Sequence, residues 1–60
     1  MKKLRLFRLI RGKTQRELAK EIGCTQPLIS MFETGKVIPG KSFKLAIAKA
    51  LNKREKEVFP

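Results

Sequence analysis

Thr14-Gln15-Arg16-Glu17-Leu18-Ala19-Lys20-Glu21-Ile22-Gly23-Cys24-Thr25-Gln26-Pro27-Leu28-Ile29-Ser30-Met31-Phe32-Glu33-Thr34-Gly35-Lys36 is the stretch that decides the fold. It reads as two short helices joined by a tight turn, each opened by a threonine and the second closed by a glycine. Thr14 begins a capping box, Thr-x-x-Glu, in which Thr14 and Glu17 satisfy orphan amides reciprocally. Leu18, Ala19 and Ile22 form the inward stripe of the first helix, which stops at Gly23. Thr25 caps the next helix, and Pro27 is tolerated in its first turn, where amides have no intrahelical partner. Ile29 and Phe32 face inward, and Gly35 supplies the left-handed residue that ends the helix.

Working outward, Leu4, Phe7 and Ile10 recur at helical spacing, with Leu6 and Leu9 widening the apolar face, and Gly12 is the natural stop. Val37 to Gly40 read as a loop. Beyond it Phe43, Ile47, Ala48 and Leu51 form one stripe, with the cap open between Gly40 and Ser42. A last turn brings Val58 and Phe59 back to the core. Helices are thus expected at about 3–11, 15–22, 26–33, 41–51 and 55–59, an all-α, compact five-helix bundle forming one domain over 1–60. A chain this short buries only about 60% of its unfolded surface, so dimerisation or a bound partner would add to a marginal stability.

Fifteen Lys+Arg against five acids, all Glu, give a formal charge of +10, which makes a polyanion the first partner to suspect. The lone Cys24 forms no internal disulfide, and no Cys/His set exists for a metal, so neither cofactor nor metal is expected. With no His, no Asp, no phosphate-cradling glycine loop and no basic partners for the one thiol, no enzymatic activity is expected. Arg5 and Arg8 interrupt the apolar start and no small-residue cleavage site follows, which argues against a signal peptide. No run approaches the roughly 18 apolar residues of a membrane span, and a cytoplasmic protein (prokaryotic or phage-encoded) is expected.

A helix-turn-helix lays one helix in the major groove of DNA while the preceding helix crosses the backbone. That needs a short glycine-containing turn, here Gly23-Cys24-Thr25. It needs an inward seam, here Leu18, Ile22, Ile29 and Phe32. It also needs an outward face able to touch base edges. On the second helix that face carries Thr25, Gln26, Pro27, Ser30 and Met31.

These residues resemble the Cro/repressor-type (Xre-like) helix-turn-helix family over essentially the whole chain. The likeness rests on Thr14-Gln15-x-x-Leu18-Ala19 and on Gly23-x-x-Gln26-x-x-Ile29-Ser30-x-x-Glu33-x-Gly35-Lys36, completed by Pro39 and Ile47-Ala48-Lys49-Ala50-Leu51. The resemblance implies a lambda-repressor-like domain with residues 26–33 as the recognition helix. It further implies that Gln15 meets phosphate, that Gln26 meets a base, and that an Arg8–Glu33 ion pair ties the first helix to the recognition helix. Chemistry agrees on several points. A glutamine amide can pair bidentately with adenine N7 and N6, and free amides at a helix N-terminus suit phosphate beside Gln15. Glu33 is also the only acid between positions 22 and 54.

No Lys or Arg lies between 21 and 35, so the reading face is nearly neutral and Pro27 and Met31 suit thymine methyls. Positive charge flanks it instead: Arg11, Lys13 and Arg16 before, Lys36, Lys41 and Lys44 after, an arrangement that phosphate clamping requires. Lys13, Lys41 and Lys44 depart from positions that are often apolar in the family, and Met31 from one that is often polar or basic. Leu6, Leu9 and Ile10 stand where the family often carries charge; they are expected to pack against Val58 and Phe59, or else to form a surface for self-association or a protein partner. The leading reading is a small transcriptional repressor binding double-stranded DNA at a palindromic operator as a weak homodimer. A DNA-binding antitoxin, a restriction-modification controller and a protein-interaction module are alternatives. A cationic amphipathic peptide on a membrane surface is a further one, and it would show little helix without lipid.

Overall fold

The computed structural model describes residues 1–60 as α1 (Lys2–Ile10), α2 (Gln15–Ile22), α3 (Gln26–Thr34), α4 (Lys41–Ala50) and α5 (Glu55–Val58). Each boundary has a local cause. At the start of α2 the Glu17 N–H donates to Thr14 Oγ1 (3.0 Å), and the Thr14 N–H donates to Glu17 Oε1 (2.8 Å). Gly23 ends α2 at φ +79°, a left-handed conformation that strains any side-chain-bearing residue, and the Cys24 N–H closes the turn onto the Ala19 carbonyl at 2.9 Å. Thr25 occupies the N-cap of α3 with extended backbone, but its side chain makes no capping bond. The helix then runs to Thr34, one residue past the sequence expectation, before Gly35 turns at φ +81°. Gly40 is the cap of α4, which resolves the choice between Gly40 and Ser42.

The core is a cluster of nine buried side chains to which every helix contributes: Leu4, Leu18, Ala19, Ile29, Phe32, Ile47, Ala48, Leu51 and Val58. Phe43 packs from α4 onto Phe32 with ring centroids 5.6 Å apart and planes tilted by 58°. Phe7, Ile22, Leu28 and Phe59 are half-buried around this cluster. The α2–α3 corner is therefore seated on α4, and the outer side of α3 is left clear of the core.

Helix α1 departs from the sequence expectation. Ile10 does not join Leu4 and Phe7; it is 66% exposed, and Leu6 and Leu9 are 52% and 55% exposed. At 100° per residue the buried arc of α1 is Leu4, Phe7 and Arg8, and Leu6, Leu9 and Ile10 fall on the opposite arc. Val58 and Phe59 do return to the core, yet these three aliphatic residues stay in solvent. The inward position that Ile10 was expected to hold falls to Arg8, which is buried.

The hydrogen bonds of the capping box hold the Glu17 carboxyl below its ordinary value, the Thr14 backbone N–H contributing most and the Thr14 hydroxyl next. Its stabilising effect is complete above the ordinary carboxylate range and is lost as pH falls through the lowered value. Thr14→Ala is expected to lower Tm by about 4–8 °C, the loss of one N-cap in a domain of this size. The same change should move the Glu17 titration, followed by carboxyl NMR, part of the way back up. An unchanged Tm together with an unchanged titration would mean that the box contributes nothing.

Candidate nucleic-acid interface

Helix α3 buries Ile29 and Phe32, which places Gln26, Pro27, Ser30, Met31 and Thr34 around its outer side. Gln26, Pro27 and Thr34 are exposed; Ser30 and Met31 are half-buried. Thr25 is exposed at the start of the same helix. Thr34 is an addition to the expected reading residues. Its spacing from Pro27, Ser30 and Met31 (i+7, i+4 and i+3) is the signal that marks it, obscured in the sequence by the expectation that the helix ends at 33. The outer face carries no charge, and an α-helix about 10–12 Å across matches the roughly 12 Å width of the major groove.

A chain of hydrogen bonds runs from the buried interior to this face. Arg8 Nε and Nη2 donate to Glu33 Oε2 and Oε1 at 2.6 and 3.3 Å, and Arg8 Nη1 donates to the Lys13 carbonyl at 2.7 Å. Glu33 Oε1 also accepts from Gln15 Nε2 at 3.0 Å. Gln15 Oε1 in turn accepts from Gln26 Nε2 at 2.6 Å. Three helices are thereby linked through four side chains, and no buried side-chain nitrogen or oxygen lacks a partner. The Gln26 amide uses one of its two N–H groups on Gln15. Its second N–H and its carbonyl oxygen remain for a partner, the donor–acceptor combination that an adenine edge complements.

The N-terminal ammonium of Met1 donates to the Glu33 carbonyl at 2.8 Å, placing a cation at the C-terminal, negative end of α3. Nothing in the sequence pattern signals that contact, because its partners lie 32 residues apart.

The flanking cations fall into two groups. Arg11, Arg16 and Lys36 are exposed, and none of them is in an ion pair. Lys13 pairs with Glu21, and Lys41 pairs with Glu55 at 2.8 Å. Lys44 is half-buried with its ammonium 5.8 Å from the centre of the Phe59 ring. Exposed ion pairs are worth only about 0–1 kcal/mol, so Lys13 and Lys41 can exchange a glutamate for a phosphate at little cost. Cys24 lies half-buried in the turn, where burial pushes its thiol pKa up. That is the behaviour of a packing residue rather than a reactive one. No group of three or more His, Cys, Asp or Glu could hold a metal ion. No helix is long and apolar enough to cross a membrane.

Comparison with known proteins agrees with this geometry. A helix-turn-helix family model matches residues 4–58. An uncharacterised HTH-type transcriptional regulator of Archaeoglobus fulgidus is 37% identical over 57 residues, covering 95% of this chain and 81% of that protein. No solved structure matches the chain.

Proposed function

The chain belongs to the Xre/Cro-like helix-turn-helix family, and from that premise we propose that this DNA-binding transcriptional regulator is a small Cro-like repressor, acting in the cytoplasm without catalysis. It binds a palindromic operator as a homodimer, with α3 in the major groove. The observation that carries this reading is the Gln26 amide, tethered through Gln15 to the Arg8–Glu33 pair. A side chain held in place before binding loses less conformational freedom on meeting its base, which is what selective readout needs.

The roles follow from position. Gln26 reads adenine; Pro27 and Met31 contact thymine methyls, favouring an A·T-containing half-site; Thr25 and Ser30 add short polar contacts. Gln15, at the first turn of α2, contacts phosphate beside the free amides of that helix. One copy extends 23 Å along its longest axis, less than the roughly 34 Å helical turn between half-sites, so a palindrome requires two copies.

A randomised-duplex selection with the purified protein tests this. It should return inverted half-sites about one turn apart containing an A·T pair. Gln26→Ala should then lose about 1–3 kcal/mol of discrimination at that one position, roughly 5- to 150-fold, with little change elsewhere. Half-sites composed of G·C alone, or an unaltered preference in Gln26→Ala, would refute the assignment.

A further inference from the structure

Helix α1 presents a second face that neither the core nor the DNA interface uses. Leu6, Leu9 and Ile10 stand at i, i+3 and i+4 on its outer side, 52%, 55% and 66% exposed. Lys2 lies in line with them, and Lys3 and Arg5 flank the stripe on either side at 100° per residue. Residues 2–11 hold five cations and no acid, and only Arg8 is neutralised by an ion pair. We propose that this face docks an acidic amphipathic helix of another protein.

Three arguments select that occupant. An aliphatic stripe at i, i+3 and i+4 complements the apolar stripe of another helix laid along it. The rim that α1 itself supplies (Lys2, Lys3 and Arg5) is cationic, so Asp or Glu beside the partner's apolar residues completes it, and steering by opposite charge speeds encounter. A second copy of this chain fits poorly. A two-fold contact sets the patch against itself, and residues 2–11 offer no acid to pair with the cations of the second copy. The area is also small: α1 is nine residues, about 14 Å long, whereas a standard interface buries roughly 800 Å² per partner. A face of this size suits a short helical segment and leaves α3 free for DNA.

The test is a peptide selection. A displayed library of random 16-residue peptides is panned against the full chain and counter-selected against the Leu6→Glu/Leu9→Glu variant. All changes are at exposed positions, so the variant should keep the wild-type helical spectrum and melting. Enriched peptides should carry Asp or Glu interleaved with Leu, Ile or Phe at i, i+3 and i+4. Their amide NMR perturbations should map to α1, and affinity should fall at least tenfold in the variant. Enrichment of nothing, or of peptides without acids, overturns the proposal. So does concentration-dependent dimerisation that the double variant abolishes, which would make a second copy the occupant. Binding to vesicles of phosphatidylglycerol and phosphatidylcholine that is lost in the variant, with no peptide enriched, would assign the face to a lipid surface instead.

Discussion

Glu33→Ala is expected to lower the unfolding free energy by about 3–5 kcal/mol, the cost of leaving a buried charge without its partner. Arg8 and Glu33 are 8% and 5% exposed, and Arg8 has no other counter-charge, only the Lys13 carbonyl. A domain of this length holds roughly 0.05–0.15 kcal/mol per residue in total, so the variant should be largely unfolded or melt more than about 12 °C lower. Replacing both partners by apolar residues of similar size (Arg8→Met with Glu33→Leu) should recover most of the loss, because no charge is then stranded. The double variant should nevertheless discriminate less at the Gln26 base position, since Gln15 has lost its anchor. Stability and reading would then come apart in one molecule, as read by thermal melts and duplex selection. If Glu33→Ala melts like the parent, the pair is effectively solvated and its orienting role fails with it.

The second large effect is that of salt on operator affinity. Arg11, Arg16 and Lys36 are in no ion pair, and Lys13 and Lys41 can leave their glutamates, so the proposed DNA-bound state would have five phosphate clamps per subunit. Lys44, half-buried with its ammonium 5.8 Å from the centre of the Phe59 ring, would add a sixth and steepen the slope further on leaving that ring for phosphate. Five clamps give a slope of log K against log salt near −4.5, so raising salt from 50 to 200 mM should weaken each subunit about 500-fold. A slope near −2.7 would show that only the three free cations bind phosphate, with Lys13 and Lys41 retained by Glu21 and Glu55. An affinity indifferent to salt would remove the clamps altogether.

Much of the fold is legible in the residues because its signals are local. Thr14 with Glu17, and the glycines at 23 and 35, set helix ends through bonds within a few residues, and the structure repeats them closely. Where a local signal is only statistical it is less dependable: Thr25 sits at the cap position without making the cap bond. Helix α1 shows a different failure. Five apolar residues in a row of seven give two overlapping stripes, and periodicity cannot choose between them. The choice was made by Arg8, whose guanidinium turns inward to meet Glu33 and so carries Leu6, Leu9 and Ile10 outward.

The candidate interface divides in the same way. Which side of α3 faces outward follows from Ile29 and Phe32, since a 3.6-residue repeat sets one face once the other is buried. Which amide holds which is not local. Gln15 and Gln26 are 11 residues apart and Gln15 and Glu33 are 18 apart, so their bonds exist only after the α2–α3 corner has formed.

From composition and order alone come the five helices, the ends set by Thr14, Gly23 and Gly35, the uncharged outer side of α3 and the excess of positive charge, because each depends on near neighbours or on simple counting. Tertiary contact decided the rest: that Gln26 is tethered, that Lys13 and Lys41 have glutamate partners, and that an aliphatic stripe on α1 is left uncovered. These depend on side chains brought together by the closing of the bundle, and a linear pattern holds no record of those distances.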